Sequence, residues 1–340
     1  MNVQLKDVFE ILKRGSILKV WNFFLLLVSF RISRLLGKVV HWGQPFSLSF
    51  EPTTTCNLGC PECPSGLRQF SRDTGNAQNE QFKGWINQVT SKLWYLTFYF
   101  QGEPYLNRDF LKMVSYASEK GMYTATSTNA HYLTKEKSEE TVKSGLSRII
   151  ISIDGTTQEV YEQYRKRGKL EKVLEGTKNL IEVRKRLKSS TPHIIFQFLV
   201  VKPNEHQIED VVKLGNELGV DEVRFKTAQV YDYENGNPLL PDNEEYSRYR
   251  KGKDGKFRLK NKMLNHCWRM WQGCVVTWDG KVVPCCFDKD ATHQLGDLNS
   301  TAFNTLWKSE PYDNFRESVL TARDQIDICT NCTEGTQVWT

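Results

Sequence analysis

The apolar segment near the amino terminus falls well short of the ~20 residues a helix needs to cross a bilayer: its charge-free run, Val20 to Phe30, is eleven residues long. No small-residue cleavage site follows Phe30, which argues against a secretory signal. Neither sign of charge dominates. The 46 Lys and Arg against 40 Asp and Glu leave +6, too mild a surplus to imply a nucleic-acid partner. Low-complexity tracts are absent, and 39% hydrophobic with 25% charged residues indicates a globular chain with a substantial core rather than disorder. Histidine is scarce: His41, His131, His193, His206 and His293 show no ligand spacing and read as structural or exposed, while His266 adjoins a cysteine and is placed to donate to a sulfur. The nine cysteines are too few for a disulfide framework and are unevenly spread, three at 56–63 and six at 267–332. Metal-bound thiolates in a reducing cytoplasm fit that distribution better than a secreted scaffold.

What is there begins with the loop Cys56-Asn57-Leu58-Gly59-Cys60-Pro61-Glu62-Cys63-Pro64, whose three thiolates can turn toward one centre. A structural zinc site normally closes with four ligands, whereas three cysteines on a cubane iron-sulfur cluster leave one iron open. From Pro45 the chain alternates strands (46–51, 96–100, 123–127, 148–153, 194–200 and 222–226) with helical patterns (81–90, 109–120, 135–144, 170–187 and 208–218). That alternation predicts parallel pairing, with active groups at the strands' carboxyl ends. The expected fold is α/β: a partial (β/α)6 TIM-type barrel with a small C-terminal cysteine-rich α+β domain. The expected division is an amphipathic helical segment at 1–44, the barrel at 45–230, a linker at 231–262 and the cysteine-rich domain at 263–340.

Motifs follow the strands. After the second comes Gln101-Gly102-Glu103-Pro104, a glycine that lets backbone approach a ligand beside a carboxylate able to accept from an ammonium. The third ends in Ser127-Thr128-Asn129-Ala130. The fourth ends in Ile151-Ser152-Ile153-Asp154-Gly155, where alternation puts Ser152 and Asp154 on one face, turned into the barrel. By the same alternation Arg224 and Lys226 share a face and need an anionic partner, from protein or substrate. The basic run Lys251, Lys253, Lys256, Arg258, Lys260 and Lys262 reads as a solvated loop. Further on, an Asp279-Gly280 hairpin leads to Val283-Pro284-Cys285-Cys286, and Cys267, Cys285, Cys329 and Cys332 can close a metal site.

The cysteine triplet and the order of motifs behind it resemble the radical S-adenosylmethionine (SAM) superfamily. The resemblance implies that the open iron of a 4Fe-4S cluster chelates SAM, and that Gly102, Glu103, Pro104, Ser127, Asn129, Ser152 and Asp154 bind it. Reductive cleavage then gives a 5′-deoxyadenosyl radical that abstracts hydrogen, with electrons from a flavodoxin- or ferredoxin-type reductant. Departures from the family pattern are Gln101 for its first glycine, Ala130 for a glycine, and Glu62 where many relatives carry an aromatic residue beside the adenine. The hairpin, Leu295-Gly296-Asp297-Leu298, Leu306-Trp307 and the final Cys329-Thr330-Asn331-Cys332 resemble the SPASM/twitch extension, in its one-cluster form. That implies a second 4Fe-4S cluster on Cys267, Cys285, Cys329 and Cys332, with a structural zinc as the rival, and leaves Cys274 and Cys286 as free thiols.

Substrate readings stay open among a small-molecule or lipid-linked intermediate, a peptide, and a non-catalytic zinc-stabilised binding protein. The absence of room for a leader-peptide-binding domain in the first 44 residues weighs against a peptide. Ile17, Val20, Trp21, Phe24, Leu25, Val28, Ile32, Leu35 and Leu36 recur at helical spacing, flanked by Lys13, Arg14 and Lys19 and by Arg31, Arg34 and Lys38. This helix either packs on the barrel or makes peripheral contact with the inner face of a membrane through residues 13–38.

Overall fold

The computed structural model describes residues 3–335. Residues 336–340, the end of the expected cysteine-rich segment, lie outside the described residues. Two helices come first, α1 (Val3–Lys13) and α2 (Ile17–Leu36). Ser16 caps α2, accepting from Lys19 N, and Gly37 ends it at φ +63, a left-handed stop that glycine adopts without strain.

The barrel then runs β1 (Ser47–Phe50), α3 (Pro64–Leu67), α4 (Asn79–Ile86), β2 (Tyr95–Thr97), α5 (Phe110–Glu119), β3 (Tyr123–Thr128), α6 (Lys135–Lys143) and β4 (Arg148–Ser152). It continues with α7 (Gln158–Tyr164), α8 (Leu170–Arg186), β5 (His193–Val200), α9 (Ile208–Leu218) and β6 (Glu222–Thr227). Neighbouring strands from β1 to β6 all pair in parallel. Their apolar runs, such as Ile149-Ile150-Ile151 and Ile194-Ile195-Phe196, reflect burial of central strands on both faces. The helices cover the outside with amphipathic faces; α8 buries Leu170, Val173, Leu180 and Ile181.

Residues 231–262 are more ordered than a linker, because β7 (Tyr249–Lys251) and β8 (Phe257–Leu259) pair as a hairpin. The rest comprises α10 (Arg269–Gln272), β9 (Gly273–Val276), β10 (Lys281–Val283), β11 (Gly296–Asp297), α11 (Phe303–Trp307), α12 (Glu310–Thr321) and α13 (Asp327–Thr330). Its strands do not form a sheet of their own. β9 pairs in parallel with β1, Ser47 opposite Gly273, giving one sheet ordered β11-β10-β9-β1-β2-β3-β4-β5-β6. The approach at Gly273 is so close that a Cβ there would stand 1.7 Å from Ser47 O.

β6 supplies Arg224 with the expected protein carboxylate, but neither Arg224 nor Lys226 is turned into the barrel. Arg224 and Lys226 are exposed, and Arg224 is held by Glu222 of its own strand (Nε to Oε1 2.6 Å). An edge strand has no neighbour on its outer side, so its charged residues reach water.

Candidate active site

β1 delivers the cysteine loop at its carboxyl end, where Gly59 N bonds to Lys166 O at 3.0 Å. Gly66 of α3 lies against the loop, and a Cβ there would meet Cys60 N at 2.6 Å. Cys56, Cys60 and Cys63 border a cavity of about 220 Å³ that Gly102, Glu103, Ser127, Asn129 and Ser152 also line. Three strand ends thus bring together the groups that their motifs single out.

Gly102, at φ +75, lets its backbone pass so close to β1's extension that a Cβ would stand 2.3 Å from Thr53 O. Glu103 is buried and already holds three donors: Thr128 Oγ1 at 2.7 Å, Asn129 N at 2.8 Å and Tyr105 N at 3.3 Å. Burial pushes its carboxyl up to about 7, against those hydrogen bonds. Its main role in the chain itself is to fasten the turn after β3, while Asn129 Nδ2 donates to Asn57 Oδ1 of the cysteine loop at 2.8 Å.

Two expected contacts stand back from the cavity. Pro104 begins a buried turn, Pro104–Leu106, behind Glu103. Asp154 is fully buried, accepting from Leu199 N at 2.7 Å and from Arg165 Nε at 2.5 Å. The chain has left β4 by that residue, so strict alternation no longer sets its direction. Arg165, which the motifs do not mark, takes its place at the cavity wall and donates to Cys60 Sγ at 3.7 Å. Its only sequence signal is the basic run Arg165-Lys166-Arg167, indistinguishable from a solvated one.

Burial pushes the Cys56 thiol up to about 12 and raises Cys60 as well, Arg165 opposing the latter shift. Buried, crowded thiols of this kind give up their protons to a metal centre rather than to water. Cys56, Cys60 and Cys63, around a cavity cleared by Gly66 and Gly102, therefore fit a cluster that they would hold beside Glu103, Asn129 and Ser152.

Cys267, Cys329 and Cys332 are buried together in the C-terminal part, and Cys285 lies within electrostatic reach of Cys267 and Cys332. Burial raises Cys329 and Cys285, and Cys332 to about 12. Arg323 donates to Cys332 Sγ at 3.5 Å and to His266 O at 2.8 Å. A Cβ on Gly335 would stand 2.3 Å from Cys267 Sγ. These residues fit a second cluster. Cys286 lies within electrostatic reach of Cys285 and also of Lys289 and Arg269, and Cys274 sits on β9 beside Tyr312 and Arg316. His41, His131 and His193 do structural work: His41 meets the Trp307 ring edge to face, His131 Nε2 accepts from Lys169 N, and His193 meets Glu222.

The two cysteine groups meet through Lys289. It lines the first cavity, stands within reach of both Cys63 and Cys286, and lies over the Tyr231 ring at 4.7 Å. Near it Arg248 is buried; among the described residues its Nε and Nη1 have no hydrogen bond, Nη2 donates to Thr227 O at 3.5 Å, and the Glu334 carboxylate stands in electrostatic reach. Neither contact has a local sequence signal, because each joins segments far apart in the chain.

Residues 50–225, more than half the chain, match the family model of the radical SAM superfamily, and residues 267–333 match SPASM, an iron-sulfur cluster-binding domain. The PqqA peptide cyclase of Bradyrhizobium diazoefficiens is 24% identical over 81% of this chain and 80% of its own. Among solved structures, Streptococcus suis SuiB bound to S-adenosylmethionine has a TM-score of 0.62 at 15% identity, covering 85% of this chain and 71% of its own. BtrN in complex with AdoMet and 2-DOIA has a TM-score of 0.52 at 15% identity, covering 87% and 95%. The last two show a shared fold. With three thiols gathered at the mouth of a partial barrel, and iron-sulfur rather than zinc assigned to the second cysteine group, the chain belongs to the radical SAM superfamily, as an enzyme with a SPASM domain that uses a 4Fe-4S cluster, SAM and auxiliary iron-sulfur.

Proposed function

We propose that the chain abstracts hydrogen from a small-molecule or lipid-linked biosynthetic intermediate whose anionic group sits between the two cysteine groups. When bound, the three-cysteine cluster supplies the electron that splits SAM to the 5′-deoxyadenosyl radical. Cys56, Cys60 and Cys63 hold that cluster; Gly102, Ser127, Asn129 and Ser152 offer SAM polar groups at the cavity wall. Glu103 keeps the Thr128–Asn129 turn in place and Pro104 starts the turn behind it. Asp154 orients Arg165, which lines the cavity along with Lys289 and whose guanidinium is suited to a carboxylate. Tyr99, Phe100 and Tyr164 line the same cavity with aromatic surface. Cys267, Cys285, Cys329 and Cys332 hold the auxiliary cluster.

Arg248 carries the substrate class. Arg248 is only 6% exposed; the Glu334 carboxylate stands in electrostatic reach of it, yet two of its donor nitrogens have no hydrogen bond among the described residues, and such donors favour a further anion that supplies one. Lys289 stands nearby. The pair suits a carboxylate or phosphate. A peptide is the second reading, favoured by the relative named PqqA peptide cyclase and by SuiB, solved bound to its precursor peptide; an acidic side chain would meet the same two cations.

The chemistry is tested by anaerobic reconstitution, reduction and quantification of 5′-deoxyadenosine. The native chain forms it slowly without substrate, and Cys60→Ala drops it to background; equal formation in the variant would overturn the reading. Calorimetric titration with inorganic pyrophosphate tests the anion site. Binding that Arg248→Gln weakens about tenfold supports it, and no binding to the native enzyme refutes the anion site alone.

A further inference from the structure

α2 is inverted. The side it turns to the protein carries Lys19, Asn22, Ser29 and Ser33 alongside Leu26 and Phe30. Each polar group there is met: Lys19 Nζ donates to Gly121 O at 2.7 Å and Arg14 O at 3.0 Å. Asn22 exchanges two bonds of 2.8 Å with the Gln44 backbone, and Ser33 Oγ two of 2.8 Å with Val40. The outward side is apolar, with Ile17 86%, Trp21 58%, Phe24 49% and Leu35 85% exposed, and Val8, Phe9 and Leu12 of α1 are exposed too. A helix on a water-facing surface shows the opposite pattern.

Charge says what covers it. From Ile11 to Lys38 there is no Asp or Glu, and Lys13, Arg31, Arg34 and Lys38 are exposed. A second copy seated here by two-fold symmetry would bring two such cationic rims together with no acid in the stretch to pair them. An anionic lipid surface complements both the cations and the apolar face. Among the described residues no single helix is long and apolar enough to cross a membrane, and α1 and α2 meet at a bend of 105°.

We infer that α1 and α2 form an interfacial anchor that docks the enzyme on anionic lipid. The anchor also sets orientation. α1 and the start of α2 lie across the amino ends of the barrel strands: Asp7 pairs with Arg148 at the start of β4, Trp94 Nε1 donates to Ile11 O at 2.7 Å just before β2, and Lys19 reaches Gly121 just before β3. The cysteine cavity opens at the carboxyl ends, so docking holds its mouth away from the bilayer, which favours the small-molecule form of the proposed substrate over the lipid-linked one.

The test is co-sedimentation of the reconstituted full chain with vesicles of phosphatidylcholine plus phosphatidylglycerol, against phosphatidylcholine alone. Binding at least about tenfold stronger to the anionic vesicles, and weakened by salt, is expected. The double variant Trp21→Glu/Phe24→Glu should lose it while keeping its iron content and SAM cleavage. No sedimentation of the native chain with anionic vesicles, or undiminished sedimentation of the variant, overturns the inference. So does a dimer in light scattering that the same double substitution dissociates, which would hand the face to a second copy.

Discussion

Glu103 shows how one side chain serves both architecture and site. Its carboxyl is pushed up to about 7 by burial from an ordinary 4.5. Between those values the folded chain binds a proton that the unfolded chain has released, so this group makes stability fall as pH rises from 4.5 toward 7. In the cluster-free protein, Glu103→Gln should flatten the pH dependence of denaturant midpoints across that window, by on the order of 3 kcal/mol; an unaltered slope would show that the carboxyl titrates normally. Gly102 is the stricter position, since its φ of +75 and the 2.3 Å approach to Thr53 O leave no room for a methyl group. Gly102→Ala should cost about 1–3 kcal/mol and weaken SAM binding, read by thermal shift with and without SAM. The role of Gly102 at the cavity was legible from its motif. That of Arg165 was not, because its meaning arises only when α7 carries it back over Cys60.

At the scale of elements, the six barrel strands were legible because each is a short run of β-branched, aromatic or alternating apolar residues set between helical patterns, and all six stand within a few residues of their expected positions. α2 was legible as a helix but not in its direction. A period of 3.6 identifies a stripe without saying which side turns inward, and the stripe from Ile17 to Leu36 turns outward. The β7–β8 hairpin escaped because its lysines and glycines have low strand propensity, overridden by Phe257 and Tyr249 packing inward. Inversion of α2 makes an unusual prediction. Asn22→Leu, which raises the helix's hydrophobicity and its helix propensity, should destabilise the chain by about 2 kcal/mol, because the N–H and C=O of Gln44 lose their partner. A gain in stability by denaturant titration would contradict the account of that face.

For the whole molecule, the sheet places both cysteine groups on one hydrogen-bonded frame through the β1–β9 pairing. Anaerobic protein should contain about eight irons per chain, two cubanes of four. Replacing Cys56, Cys60 and Cys63 together should halve the count and leave a cluster whose electron paramagnetic resonance ignores SAM; zinc in that variant would refute the second cubane. Cys286→Ser should change neither count nor spectrum. The same pairing has a consequence in time. Ser47 cannot meet Gly273 until 273 − 47 = 226 further residues have been made, on the order of tens of seconds at ribosomal speed. Throughout that wait β1 shows an open edge beside three nucleophilic sulfurs. Synthesis of this protein therefore passes through an interval in which the first cysteine loop is made and the strand that completes the sheet beside it is not.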